Sequence, residues 1–314
     1  MKFALKLTFW ISVMLLFTCA SILFSRFSGN STISTLKQSI SKLDSSSKSI
    51  FFLGSSRIQR SVNSTLIEDS LRDWQVYNLG LLGNTLAQNI FLAHYIKSLP
   101  GNKVVFIEFT SYISSYPETF EKAMEYLELP NFPNSYVEFL GKPLTPTKNY
   151  SFLEDLEIAF WKAMIQNQNA IKRIVFQDDF NGYHEIGYSP TNRNDVVSKE
   201  SFLSLEKWQE FAQSKLDTNL FEKANQILKS QKQKEFNVVF LLPVTANDQV
   251  DFERKIPAFN HLPKDSKWEY QEQFLREIAN PAHLENKNHM NSLGAFVYSQ
   301  GLVNYIKANE KNWQ

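Results

Sequence analysis

The chain is short of several things that usually announce an activity. It has one cysteine, Cys19, which lies in an apolar N-terminal stretch. The rest of the sequence therefore carries no disulfide, no thiol nucleophile and no cysteine metal site. Ten glycines in 314 residues argue against a repeat or low-complexity architecture. An excess of either charge is also missing. Lys+Arg is 33 and Asp+Glu is 32, so no net field points to nucleic acid, and no nucleic-acid partner is expected. No Gly-x-Gly-x-x-Gly, Walker loop or His-Glu-x-x-His sequence occurs. Nucleotide-cofactor and zinc-protease chemistry are thus without support, and neither a cofactor nor a metal is expected.

What the chain does have is aromatic and apolar. Its 26 phenylalanines and 12 tyrosines suit a well-packed globule. The length suits one large domain, or a domain with a large insertion. Lys2 and Lys6 precede an uncharged stretch from Leu7 to Ser25, about long enough to cross a bilayer as a helix. Residues 1–27 are expected to form an uncleaved single-pass anchor. The positive start puts the N-terminus in the cytoplasm and the rest on the extracytoplasmic side of the cytoplasmic membrane. A cleaved signal peptide is the alternative, because Thr18-Cys19-Ala20 is a passable cleavage site. Apolar Ile22, Leu23 and Phe24 continue beyond it and favour the anchor. Residues 28–48 are serine-rich and read as a stalk; they include a formal glycosylation site at Asn30-Ser31-Thr32.

The domain proper, 49–314, opens on Ser49-Ile50-Phe51-Phe52-Leu53-Gly54-Ser55-Ser56-Arg57. A short apolar run with a glycine at its end reads as a buried central strand and a tight turn. A helix over Leu66–Trp74, a strand over Gln75–Leu79, a helix over Leu86–Leu99 and a strand over Lys103–Phe109 follow. In the second of these helices Leu86, Ile90, Ala93 and Ile96 mark one apolar face. Strands and helices alternating at these lengths imply right-handed crossovers and a parallel sheet. The alternation stops at an insertion, about 111–200, that reads as a cap over the strand ends. A long helix from about Phe202 to Lys229 and a strand Phe236–Pro243 come next. A polar, proline-punctuated loop region leads to an edge strand at Phe274–Ile278, and a last helix starts near Ser292.

Residues capable of chemistry fall at the strand carboxyl ends, where open α/β sheets place their sites. Ser56 follows the first strand, Gly83 and Asn84 follow the second, and His289 precedes the final helix. A serine and a histidine on one rim can meet. The histidine would take the hydroxyl proton and make Ser56 a nucleophile. Backbone N–H groups of Ser56 and Gly83 would hold the developing oxyanion. The plainer alternative is that Ser56 only caps the next helix. The other histidines invite plainer readings: His283 a surface or supporting role, His94 a packed or boundary position on its helix, and His184 and His261 solvated loops.

Three blocks in order resemble the SGNH/GDSL hydrolase superfamily. Gly54-Ser55-Ser56 matches its Gly-Asp-Ser block with serine for aspartate. Asn78-Leu79-Gly80-Leu81-Leu82-Gly83-Asn84-Thr85 matches its glycine turn. Asn286-Lys287-Asn288-His289-Met290-Asn291-Ser292-Leu293-Gly294-Ala295 resembles its final block. The resemblance implies a three-layer α/β/α sandwich around a central parallel sheet. It also implies acyl chemistry with Ser56 as nucleophile, His289 as base, and Ser56 and Gly83 as oxyanion donors.

Two positions depart from the family. Asn286 stands where its aspartate orients the histidine, so Asn286 itself, a backbone carbonyl or Glu285 is the candidate orienter. No asparagine follows the third strand, so Thr110 or Ser111 is the candidate donor there, with Asn84 and Thr110 as candidate supporting residues. With the anchor, the chain looks like the extracytoplasmic proteins that partner membrane-bound O-acyltransferases. The resemblance then implies acyl transfer to or from hydroxyls of a cell-surface polysaccharide. A stand-alone esterase and a non-catalytic binding or assembly protein are the alternatives.

Overall fold

The computed structural model describes residues 46–81, 84–110, 205–229, 235–243 and 249–313, with a few positions outside these ranges. Gly83, most of the N-terminal anchor and stalk, and all of the insertion except Tyr188, Thr191 and Asn192 lie outside the described residues. Among the described residues no helix is long and apolar enough to cross a membrane.

Four parallel strands form the central sheet: β1 (Lys48–Gly54), β2 (Gln75–Gly80), β3 (Asn102–Glu108) and β4 (Phe236–Leu241), in the order β2-β1-β3-β4. Gly54 lies opposite Gly80, and Leu53 opposite Ile107, so the carboxyl ends of the three strands are nearly flush. Side chains alternate between the two faces, as the strand period requires. Ile50, Phe52, Val104, Phe106, Val239 and Leu241 build one core, and Phe51, Leu53, Val105, Ile107, Val238 and Phe240 build the other. Both faces are buried, which is why the strands read as continuous apolar runs.

Helices α1 (Ser56–Ser61) and α2 (Ser64–Ser70) follow β1, and α3 (Leu86–Lys97) follows β2. After β3 the described chain resumes with α4 (Leu205–Ala212) and α5 (Thr218–Lys229); after β4 come α6 (Gln249–Asn260) and α7 (Glu272–Ile278). A small antiparallel pair, β5 (Leu284–Asn286) and β6 (His289–Met290), precedes the long α8 (Ser292–Asn309). Residues of α1, α2 and α8 share the core of one face, and residues of α3, α5 and α6 share the core of the other.

Several elements differ from the sequence expectation. Phe274–Ile278 is helical rather than an edge strand: Leu275 and Ile278 are buried one turn apart, and Arg276 pairs with Glu272 at 2.6 Å. The single helix expected over 202–229 is two, because Asp217 accepts from Leu220 N–H at 3.1 Å and starts a new helix. Part of the expected loop after β4 is α6, whose buried Phe252, Ile256 and Phe259 were masked by the internal Pro257. The first crossover helix stops at Ser70, before Trp74. Helix α3 is buried almost all round over Leu86–Ala93, rather than along one face, because it lies between the sheet and α5.

Candidate active site

At the end of β1 the capping duty falls to Ser55, whose Oγ accepts from Arg57 N–H at 3.2 Å. Ser56 is thereby the first helical residue, with its hydroxyl free for other work. Helix α1 is held close over the strand ends. A Cβ on Gly54 would sit 2.2 Å from Ile58 Cγ1 and 2.6 Å from Glu108 Oε2; one on Gly80 would sit 2.5 Å from Gln59 N. The expected tight bend at Gly54 is thus a demand for space, not for a left-handed backbone; Gly101 is the described glycine with positive φ. Buried Asn78 fastens the helix from below. Its Nδ2 donates to Ile58 O at 3.2 Å and to Val62 O at 2.7 Å, and its Oδ1 accepts from Gly80 N–H at 3.0 Å.

The histidine arrives from the other end of the chain. Asn291 caps α8 by accepting from Gly294 N–H at 3.0 Å, and its Nδ2 donates to Ala282 O at 2.7 Å. A Cβ on Gly294 would lie 2.0 Å from His283 O, so only glycine lets α8 start this close to that segment. The β5–β6 turn then presents His289, whose Nε2 lies 2.8 Å from Ser56 Oγ.

Asn286 is the residue on the other imidazole nitrogen, with Oδ1 3.1 Å from Nδ1. The same oxygen accepts from Asn288 N–H at 2.9 Å and from His289 N–H at 3.1 Å. Two backbone donors can meet only an acceptor, which fixes the oxygen, not the NH2, against the ring. Nδ1 must then carry the proton and donate it to Asn286, leaving Nε2 bare to accept from Ser56. An asparagine thus holds the tautomer a general base needs, though it lacks the charge to stabilise an imidazolium.

Electrostatics keep the ring neutral. The pKa of His289 is lowered from the ordinary 6.5 to about 4, first by burial and then by the positive charges of Arg60 and Arg57. Glu285, the alternative orienter, is engaged elsewhere: its Oε2 lies 3.3 Å from Arg60 Nη1. Thr110 is likewise engaged, accepting from Arg57 Nη2 at 3.0 Å.

A residue the sequence reading passed over stands at the centre of the rim. Glu108, wholly buried at the end of β3, accepts from Ser55 N–H at 2.5 Å and Ser55 Oγ at 3.1 Å, and pairs with Arg57 Nη2 at 2.5 Å. The signal was a single carboxylate closing the run Val104-Val105-Phe106-Ile107.

Asn84 is buried, with Nδ2 donating to Asn89 Oδ1 at 3.1 Å; among the described residues no hydrogen bond joins it to Ser56 or His289. His283 is buried, with Nδ1 against Glu277 O at 2.8 Å, so it is a packing residue rather than a surface one. His94 is exposed rather than at a packed or boundary position, His261 is exposed as expected, and His184 is outside the described residues. From the insertion, Thr191 O and Asn192 Oδ1 each lie 2.9 Å from Ser292 Oγ, three residues beyond His289. Among the described residues no cluster of side chains suits a metal ion.

No protein-family model matches this chain, and no curated protein or solved structure matches it either.

Proposed function

We propose that the protein is an SGNH-type enzyme of acyl transfer to or from hydroxyls of a cell-surface polysaccharide, with Ser56 as nucleophile and His289 as base. One observation carries this reading: a hydroxyl 2.8 Å from the Nε2 of an imidazole whose Nδ1 is tied to an acceptor-locked amide. Ser56 Oγ attacks the acyl carbon, and its proton passes to His289 Nε2. The carbonyl electron pair moves onto oxygen, for which the Ser56 N–H is the proposed donor at a described position. Collapse breaks the bond to the leaving oxygen, which takes the proton back from His289. A second hydroxyl, or water, then receives the acyl group by the reverse path; water as acceptor makes the same site an esterase.

The extracytoplasmic, membrane-anchored setting and a partnership with a membrane-bound O-acyltransferase belong to the same proposal. It draws support from helical residues near the N-terminus that expose Phe9, Trp10 and Leu16. Thr191 O and Asn192 Oδ1, each 2.9 Å from Ser292 Oγ, put these two residues of the insertion near the start of α8, which is compatible with the cap. A second reading, a non-catalytic binding protein with this fold, is favoured by one fact: among the described residues no carboxylate contacts the imidazole. A serine-directed fluorophosphonate separates the two. Stoichiometric labelling at Ser56, lost in His289→Ala, is the expected result; an unlabelled, folded protein would leave the binding reading in place.

A further inference from the structure

We propose that Arg60 and Glu285 are a positioning pair for this site, an ion-pair bridge that holds the helix bearing Ser56 against the turn bearing His289. The proposal rests on the acyl-transfer reading of Ser56 and His289, and the pair acts through those two residues. Helix α1 and the β5–β6 hairpin come from opposite ends of the domain, and each is fastened on its own side. Asn78 ties down α1 through the carbonyls of Ile58 and Val62, and Asn291 Nδ2 ties down β5 through Leu284 O at 3.3 Å. Neither tie crosses from α1 to the hairpin.

Two polar bridges do cross. Ser56 Oγ meets His289 Nε2 at 2.8 Å, and Arg60 Nη1 donates to Glu285 Oε2 at 3.3 Å. Ser56 and Arg60 are four residues apart on α1, so they are neighbours on one face of the helix. Glu285 and His289 are also four apart, on the two strands of the hairpin. One contact alone lets the hairpin swing about it; a second, a helical turn away, removes that freedom. The freedom matters, because a misplacement of about 1 Å can cost about 100-fold in rate. Glu285 also immediately precedes Asn286, whose Oδ1 holds the imidazole, so the bridge fixes the backbone from which the ring is oriented. The pair is shielded from water, its side chains being 15% and 9% exposed, unlike the open surface pairs that contribute little.

Arg60 acts a second time through its charge. After burial, it is the first of the causes that lower the pKa of His289, and Arg57 is the next. The charged side chains on the elements around the ring are Arg57 and Arg60 on α1, Glu285 on β5 and exposed Lys287 in the turn, and Arg57 is itself paired with Glu108. The placing of the base and its basicity thus share one cation, and each leaves its own mark on a pH–rate profile.

The test is the second-order rate of fluorophosphonate labelling of Ser56 in the full chain, followed against pH. In that reaction the bond from Ser56 Oγ to phosphorus forms, fluoride leaves, and the serine proton goes to His289 Nε2. Arg60→Gln alone would leave Glu285 without its cation, so the informative variant is Arg60→Gln with Glu285→Gln. Its rate at neutral pH should fall at least about 10-fold, with an unchanged circular dichroism spectrum. Its midpoint should rise from about 4 toward the ordinary 6.5, because a cation that opposes protonation of the ring is gone. The charge swap Arg60→Glu with Glu285→Arg rebuilds a bridge of opposite sense and should label at least about 5-fold faster than either half of the swap. A folded glutamine pair that labels within threefold of wild type overturns the proposal. A slower rate with an unmoved midpoint also overturns it, by leaving the two residues a packing role. If the glutamine pair does not fold, the swap decides alone, and a swapped chain no faster than its halves overturns the proposal. Wild-type protein that resists labelling at Ser56 overturns the acyl-transfer reading instead, and the proposal falls with it.

Discussion

The two faces of the sheet are built by different means. Over one, α3, α5 and α6 settle on Phe51, Leu53, Val105 and Phe240 with Phe109 wedged edge-on between Phe240 and Phe259, and directional bonds sit at helix ends, where Arg254 pairs with Asp217 at 2.7 Å and Lys267 Nζ donates to Asn260 O at 2.8 Å. Over the other, α1, α2 and α8 bury an equally apolar core, but directional bonds also pin them. Asn78 holds the carbonyls of Ile58 and Val62, and Ser299 Oγ accepts from Asn63 N–H at 2.9 Å and donates to Ser61 O at 3.4 Å. Every residue assigned to the reaction at a described position lies with the second set. Apolar burial places a helix against a sheet, but it does not hold a hydroxyl to within a fraction of an ångström of an imidazole. Hydrogen bonds with fixed donors and acceptors do.

The sharpest break in this contrast is at the nucleophile itself. Ser56→Ala and His289→Ala should each reduce acyl transfer about 10⁴-fold or more, and the double variant little further, because the pair acts as a unit. Melting temperatures should stay near wild type; full activity in Ser56→Ala would end the mechanism. Next in size is Phe259→Ala on the far face. It should cost about 3–5 kcal/mol in denaturant unfolding, yet leave fluorophosphonate labelling of the folded protein within threefold of wild type. Asn78→Ala should cost less, about 1–3 kcal/mol, since it removes the amide that Val62 O and Gly80 N–H bond to. It should nonetheless slow labelling more than Phe259→Ala does. If the ranking of the two rates reverses, the division of labour between the faces is wrong.

The smallest effect is a shift in pH dependence. With His289 at about 4, wild-type labelling should rise with pH through about 4 and stay flat above it. The sign for stability follows from the same depression. Between the ordinary 6.5 and about 4 the unfolded chain binds a proton that the folded chain refuses, so stability falls as pH falls through that window. Asn286→Asp puts a carboxylate against Nδ1 and should raise the midpoint of labelling by about 1–3 units, with activity at neutral pH retained or increased. Superimposable profiles would show that Asn286 does not act on the ring.

Much of the architecture is legible in the sequence because burial on both faces writes strands as unbroken apolar runs. The four strands of the sheet and the start of α8 at Ser292 can be read this way. The meeting of Ser56 with His289 is legible too, since a parallel sheet gathers its carboxyl ends on one rim. What stays hidden depends on tertiary register. Nothing local tells that Asn78 reaches two carbonyls of the preceding helix, or that Glu108 and Arg57 pair across neighbouring strands. Nothing in the letters Asn286 says which end of its amide will face the ring; two backbone N–H groups of the β5–β6 turn decide it. Local signals also mislead where they compete. Pro257 hid α6, and the apolar residues of Phe274–Ile278 read as a strand although their buried members fall one helical turn apart.

Ser56 and His289, the proposed nucleophile and base, are separated by 233 positions in the chain, and the order of synthesis gives that separation a meaning in time. At ribosomal speeds of about 5–20 residues per second, Ser56 emerges roughly 10–50 s before His289 is made. Throughout that interval the hydroxyl has no proton acceptor from the C-terminal turn, and the face that α8 will cover is open. On the proposed mechanism, reactivity therefore begins only when the last long helix docks. A chain that stalls or is clipped before residue 289 is chemically silent at Ser56, whatever the state of the sheet beneath it.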